Sequence, residues 1–559
     1  MLRLVHDSPP PPLLRRRAMP LTIDPVATPP DPAVLARFGA SRALQTGLLP
    51  WRKVGGDTVI LVANPADLAA QTATLTALYG ANLRPVPCSI RQLEEAVFTH
   101  AGPAIALSAE TRRPIRTSCR GLRAQLIARA LTLTIFSLLL VGIFFPGALL
   151  VGFVLLALGV MILLSGLKIM ASIAAPRRVA LPPVPADLPS MSILIALYGE
   201  AAIAPRLIRR LSVLDYPRDR LDVLILVEDD DHATRDALTA SLLPPWMRVV
   251  ACPQGSIRTK PRAMNIGLDI CRGSIIGVYD AEDAPEREQL LKVAATFAAA
   301  PPQTACLQGM LDFYNPETNW LARCFTMEYA VWFRLVLPGL VRLGLPIPLG
   351  GTTVFLRREA LEQVGGWDAH NVTEDADLGF RLARHGFRTD VLHSTTGEEA
   401  NCRTLPWIKQ RSRWNKGYLM TWLVHMRDPV ALWRDLGPRG FAGMQVLLLG
   451  SVLQPMLAPA LWTLWLLSLG LPHTVALALT ATQLHHILLA LLLTEAITAL
   501  IALIAIHRAG HPVRWPWVIV LSVYFPLATL ASAKAVAEAA TRPFHWDKTQ
   551  HGAFDLPEL

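Results

Sequence analysis

The sequence predicts a parallel-sheet α/β domain set between membrane-spanning helices, with a small α/β module ahead of them. Three observations predict it. Hydrophobic residues make up 52% of the 559-residue chain and charged residues only 17%, a balance that points to membrane spans. Uncharged stretches of span length lie on both sides of residues 185–435. Within 185–435, apolar runs of strand length alternate with helical patterns, the mark of a parallel sheet with crossover helices.

Each segment follows in turn. Residues 1–32 are proline-rich, with Arg15, Arg16 and Arg17, and no apolar core of about ten residues follows them. They read as a disordered cytoplasmic tail. Residues 33–110 read as the small α/β module, a regulatory or docking domain. Helical spacing covers Val34–Leu44, 66–79 and 90–100, and Thr58–Ala63 is a short β-branched strand. Residues 125–172 read as two transmembrane helices turning at Pro146 and Gly147. Arg113, Arg116, Arg120, Arg123 and Arg129 precede them, and Arg177 and Arg178 follow, which places both ends in the cytoplasm.

The α/β domain, 185–435, has strands at Met191–Leu197, Val223–Val227 and Ser274–Tyr279, and a helix at Ile203–Leu214. It would therefore be cytoplasmic. Residues 441–535 hold apolar segments at 441–470, 475–506 and 514–533. The last, broken by Pro526, is expected to be re-entrant or interfacial, because Lys534, Arg542 and Lys548 argue for a cytoplasmic tail at 536–559. The net charge of +10 fits positive-inside topology. It lies along membrane flanks with no aromatic–basic stripe, so nucleic acid is not an expected partner. Seven cysteines without a CxxC pair suggest neither a zinc site nor a disulfide framework.

Ligands of an open parallel sheet bind at the carboxyl ends of its strands. Glu228, Asp229, Asp230 and Asp231 follow one strand, and Asp280, Glu282 and Asp283 follow another. Crowded carboxylates repel unless a cation lies between them, and hard oxygen ligands suit Mg²⁺ or Mn²⁺. Solvated acidic loops are the plainer alternative. A third cluster, Thr373, Glu374, Asp375 and Asp377, opens a helix whose apolar face includes Leu378 and Leu382. There Thr373 is a candidate N-cap and Asp375 a first-turn acid. In "QRSRWNKG", Gln410, Arg413 and Trp414 share a helical face, where an amide and a guanidinium suit hydroxyls and diphosphate and an indole suits a sugar ring. A basic interfacial helix is the alternative reading.

Acid, DxD, TED and QxxRW in this order resemble the processive members of glycosyltransferase family 2, such as cellulose and hyaluronan synthases. The resemblance covers roughly 190–430, with the flanking spans in outline. It implies a GT-A catalytic domain, a nucleotide-sugar donor (UDP-hexose by family frequency) and a divalent metal. Residue by residue, it implies that Tyr198 and Glu200 border the base and that Glu228 or Asp229 contacts uracil or ribose. Lys260 would face the diphosphate, and Asp280 with Glu282 or Asp283 would form the metal site. Asp375, beside Glu374, would be the general base. Gln410, Arg413 and Trp414 would line the acceptor channel and diphosphate. Gly350 and Gly351 resemble the loop that approaches the acceptor. "FHWDKTQHG", with Lys548 and His551, resembles a tail that closes over the donor. Departures from the pattern are Ala196 and Gly199 near the first strand, Glu228 for an aspartate, and a DxD written Asp-Ala-Glu-Asp. Separately, "GLLPWRKVGGDTVILVANPAD" resembles the N-terminal domain of type II secretion ATPases. The Arg-Leu-Gly motif through which some of its relatives bind cyclic dinucleotides is absent from residues 33–110.

These readings imply an inverting enzyme of the bacterial inner membrane that extends an exopolysaccharide on the cytoplasmic face, coupled to export. The implied partners are a nucleotide sugar, a polysaccharide acceptor, membrane lipid, and export or regulatory proteins. Transfer of one sugar to a lipid carrier and a non-catalytic export scaffold are the alternatives.

Overall fold

A computed structural model describes residues 23–176, 180–512 and 515–546. The expectations for residues 1–22, and for the tail from 547 onward with Lys548 and His551, fall outside the described residues. The chain forms two compact units, Met1–Ile105 and Ala106–Leu559.

In the first unit, strands β1 (Leu48–Val54) and β2 (Asp57–Val62) form an antiparallel hairpin, and β3 (Leu83–Pro87) adds parallel to β2. The parallel step requires a crossover, which the helix Pro65–Tyr79 supplies. Asn64 caps that helix and Pro65 opens it. The helix expected over Val34–Leu44 is two helices, Pro32–Phe38 and Ala40–Thr46. Gly39, at φ +95°, takes a conformation that breaks the run between them.

The second unit is built on an eight-stranded sheet. Its other strands are β4 (Met191–Leu197), β5 (Leu221–Glu228), β6 (Met247–Cys252), β7 (Ile275–Val278), β8 (Ala284–Pro285), β9 (Thr304–Phe313), β10 (Val354–Arg357) and β11 (Arg388–Glu398). The order is β6-β5-β4-β7-β10-β9-β11-β8. The first four strands are parallel, as expected, but β10 runs antiparallel to both β7 and β9, so the sheet is mixed. β4 and β5 are buried along nearly their whole length, which explains their unbroken Val, Ile and Leu content.

Among the described residues, six helical stretches are long and apolar enough to cross a membrane: Ala124–Phe144, Pro146–Ala174, Trp320–Arg342, Pro429–Leu467, Ala481–Ala509 and Pro516–Thr541. Trp320–Arg342 lies within the segment read from sequence as α/β domain, and 67% of its most apolar window is buried inside the protein. Pro429–Leu467 kinks at Gly437, whose φ is +66°, and Pro438. Pro516–Thr541 runs alongside the helix Thr404–His425. Trp407 Nε1 donates to Tyr524 Oη at 3.1 Å, Asn415 Nδ2 to Ser532 Oγ at 2.6 Å, and Lys416 pairs with Glu538 at 3.0 Å. Partner numbers rise together, so the two helices run in the same direction.

Candidate active site

The carboxyl ends of β4, β5 and β7 open onto a cavity of about 730 Å³. Its walls bring together Tyr198, Glu200, Glu228, Lys260, Asp280, Glu282, Glu374, Asp375, Gln410, Arg413 and Trp414. It continues past Trp332 and Phe333 to Leu164, Lys168, Gln454, Thr498 and Tyr524, on the apolar helices.

The acids after β5 all have structural partners. Glu228 pairs with the fully buried Arg262, Asp229 with Arg235 at 3.3 Å, and Asp230 with Arg258 at 2.6 Å. Asp231 caps the next helix, accepting from Thr234 N. Burial pushes the Glu228 carboxyl up, and Arg262 opposes that. Glu228 still reaches the cavity wall, whereas Asp229 is not among the lining residues. At the mouth, Tyr198 Oη accepts from Arg258 at 2.9 Å, with the guanidinium over its ring.

After β7, adjacent acids face different ways. Asp283 is 1% exposed, accepts from Asp280 N at 2.8 Å and from Thr352 Oγ1, and braces its own turn. Its Oδ1 has no partner. Asp280 and Glu282 are the pair on the cavity wall. Burial and then the Asp280 charge push Glu282 up to about 8. Asp280 is paired with Lys260, whose ammonium also donates to Gly351 O at 2.8 Å. Burial works against the Lys260 charge, but Asp280 and Glu374 outweigh it and hold its pKa above the usual range.

No cluster of three His, Cys, Asp or Glu side chains among the described residues has metal-holding geometry. Asp280 and Glu282 are nonetheless hard oxygen donors on one wall of the cavity, a donor set that suits a hard cation.

Glu374 and Asp375 open the helix Glu374–Arg384. Burial and the Asp375 charge push Glu374 up to about 8. Asp375, raised by burial but steadied by Ala376 N–H, Lys260 and Arg413, is pushed up only to about 6. Of the two, Glu374 is thus the more readily protonated and Asp375 the more readily ionised. A Cβ at Gly351, whose φ is +47°, would lie 3.1 Å from Asp375 Oδ2. Thr373 is the N-cap by position, yet its hydroxyl makes no capping bond and is buried without a partner. Asp377 is a structural acid, held by Arg381 Nε at 2.6 Å and His425 Nε2 at 3.1 Å.

From the helix Thr404–His425, Gln410 accepts from Asn401 at 2.9 Å, and Arg413 lies over the Trp546 ring. Trp414 packs against Phe325 and Tyr329. Arg411, which the sequence did not single out, stacks on Trp414, forks onto Glu328 at 2.8 and 2.6 Å, and reaches Tyr524 at 3.4 Å. Glu398 and Glu399 also line the cavity. The strand they end, RTDVLHSTTGE, is largely polar, so no apolar run marks them in the sequence.

Residues 189–417 match the family model described as glycosyltransferase like family 2, and residues 17–104 match the MshEN domain. A β-monoglucosyldiacylglycerol synthase of a Synechocystis species is 31% identical over 281 residues, covering 49% of this chain and 58% of that protein. The UDP-forming cellulose synthase 1 catalytic subunit of Komagataeibacter xylinus is 28% identical over 260 residues, covering 44% and 33%. A solved Pyrobaculum calidifontis mannosyltransferase, in complex with GDP-Man and Mn²⁺, aligns at 19% identity and a TM-score of 0.44 over 71% of this chain and 99% of its own. The chain spans 58% and 52% of the lengths of the first curated relatives it matches. It carries a segment of glycosyltransferase like family 2 and an MshEN domain.

Proposed function

We propose that the protein transfers a sugar, with inversion, from a nucleotide sugar to a growing polysaccharide at the cytoplasmic face of a bacterial inner membrane. The observation that carries this reading is one cavity joining the strand-end acids, Asp375, and the apolar helices. A donor at Tyr198, Glu228 and Lys260 would present its anomeric carbon toward Asp375. An acceptor lying against Trp414 would reach the same point from the membrane side.

Asp375 takes the proton from the attacking hydroxyl. Lys260 and Arg413 hold the leaving diphosphate and offset its growing charge. Asp280 and Glu282 would hold Mg²⁺ or Mn²⁺, which when bound adds further charge to stabilise the diphosphate. Attack from the side opposite the diphosphate inverts the anomeric centre. The helix Pro516–Thr541 would lie at the membrane surface, because it follows the active-site helix at both ends.

A second reading, one sugar placed on a lipid, is favoured by the aliphatic lining at Leu164, Leu447 and Leu521 and by the glycolipid synthase relative. Purified protein in lipid, given Mg²⁺ or Mn²⁺ and labelled nucleotide sugars, separates the two. High-molecular-weight product supports the polymer, and a single lipid-soluble glycoside supports the second reading. Turnover undiminished by EDTA removes the metal from the proposal.

A further inference from the structure

Glu110 is the last residue but one of the helix Ile90–Thr111, ahead of the segment that matches the glycosyltransferase family. Its side chain is buried, and its carboxylate accepts three hydrogen bonds from one loop. Oε1 takes Ser256 N at 2.7 Å and Ile257 N at 3.3 Å, and Oε2 takes Ser256 Oγ at 2.6 Å. Hydrogen bonds to an ionised acceptor are short and strong, so a buried carboxylate on two successive backbone N–H groups fixes the turn that presents them.

That turn leads straight to the donor end of the cavity. On its inner side, Pro253 O accepts from Arg262 Nη1 at 2.8 Å, and Arg262 pairs with Glu228. Gly255 is wedged between the two clamps, and a Cβ there would overlap both Glu110 Oε1 and Arg262. Past Ile257 comes Arg258, which bridges Tyr198 and Asp230. Thr259 then caps the next helix and donates to Ala369 O at 2.8 Å, and Lys260 follows against Asp280. Glu110 itself is not among the cavity-lining residues.

We infer that Glu110 is a positioning residue for the nucleotide end of the donor, acting through the Pro253–Arg258 loop on Arg258 and Lys260. The inference rests on the nucleotide-sugar reading above. It places a determinant of donor affinity outside the glycosyltransferase segment, in chain that the family match does not reach.

The test uses full-length protein in lipid with Mg²⁺, titrated calorimetrically with UDP and with GDP, alongside donor and acceptor kinetics. Glu110→Gln exchanges one acceptor oxygen for an amide that cannot accept. About tenfold weaker nucleotide binding is expected, with a matching rise in donor KM and little change in kcat or acceptor KM. Ser256→Ala shifts the same quantities in the same direction, and the double variant is no worse than Glu110→Gln alone.

Arg112→Ala is the control. It breaks the neighbouring Arg112–Asp269 pair at 2.7 Å without touching the loop, and leaves nucleotide affinity unchanged. Wild-type affinity in Glu110→Gln, or an equal loss in Arg112→Ala, overturns the inference. Should Glu110→Gln not fold, Ser256→Ala alone decides, and unchanged affinity there overturns it as well. A wild type that binds neither UDP nor GDP overturns the nucleotide-sugar reading and this inference with it. A wild type that binds, beside a Glu110→Gln that binds equally, overturns this inference alone.

Discussion

Lys260 and Asp280 form an ion pair at the end of β7, and the same ammonium donates to the carbonyl of Gly351, the residue packed against Asp375. One side chain thus ties the acids after β7 to the loop beside Asp375. Lys260→Met removes the charge and the tether together. We expect kcat to fall about 10²–10³-fold, the scale seen when one preorganised donor to a developing anion is lost. Nucleotide release in the steady state measures it.

The same pair predicts what metal removal does. Because Lys260 already neutralises Asp280, the fold does not depend on a cation to hold these acids together. EDTA is expected to abolish turnover and leave the unfolding temperature unchanged, as read by calorimetry with and without chelator.

Asp375→Asn is expected to lower transfer about 10²–10⁴-fold, the usual contribution of a general base, while nucleotide affinity stays near wild type. In the wild type the base form of Asp375 is present above its value of about 6 and is lost as pH falls through it. The rate should therefore drop on the acid side with a midpoint near 6. Pre-steady-state transfer against pH reads this directly, and an acid limb near 4 would assign the proton to another group.

Asp377 predicts stability rather than rate. Burial alone would raise its pKa, but Arg381 and His425 outweigh burial and hold it well below the usual carboxylate range. Its unfolded value is near 3.9, so the stabilisation is complete above about pH 4 and is lost as pH falls through the folded value. Asp377→Asn should destabilise the domain by about 3–5 kcal/mol, because it leaves Arg381 buried and uncompensated. Denaturant melts at pH 7 measure the difference.

Arg411→Lys keeps the charge but loses the fork onto Glu328 and the stack on Trp414. Acceptor KM is expected to rise several-fold with donor KM unchanged, and initial rates with each substrate varied in turn separate the two.

Much of this site could be read from the chain because its chemistry needs rare residues in a fixed order. Asp280, Asp375 and Arg413 fall on the cavity wall; a strand end marks the first, an acid cluster opening a helix the second, and one helical face the third. Direction along a loop was not legible. Asp280 and Asp283 differ only in which way a turn faces, and Asp229 is held by Arg235 on the following helix, a pairing that spacing alone did not reveal. The antiparallel sense of β10 was hidden for a similar reason, since an apolar run reads the same in either direction. Arg258, Arg262 and Glu110 were missed because their partners lie in other elements, and long-range pairing leaves no periodic trace.

The helix Pro516–Thr541 holds Trp407, Asn415 and Lys416 through Tyr524, Ser532 and Glu538, so the scaffold of Gln410–Trp414 is shared with a segment as apolar as a membrane span. Lateral pressure or thickness of a surrounding bilayer would then be felt as a displacement of the Arg413 guanidinium and the Trp414 indole on the cavity wall. On this view lipid composition should change the reaction rate, and protein in detergent should turn over differently from protein in lipid.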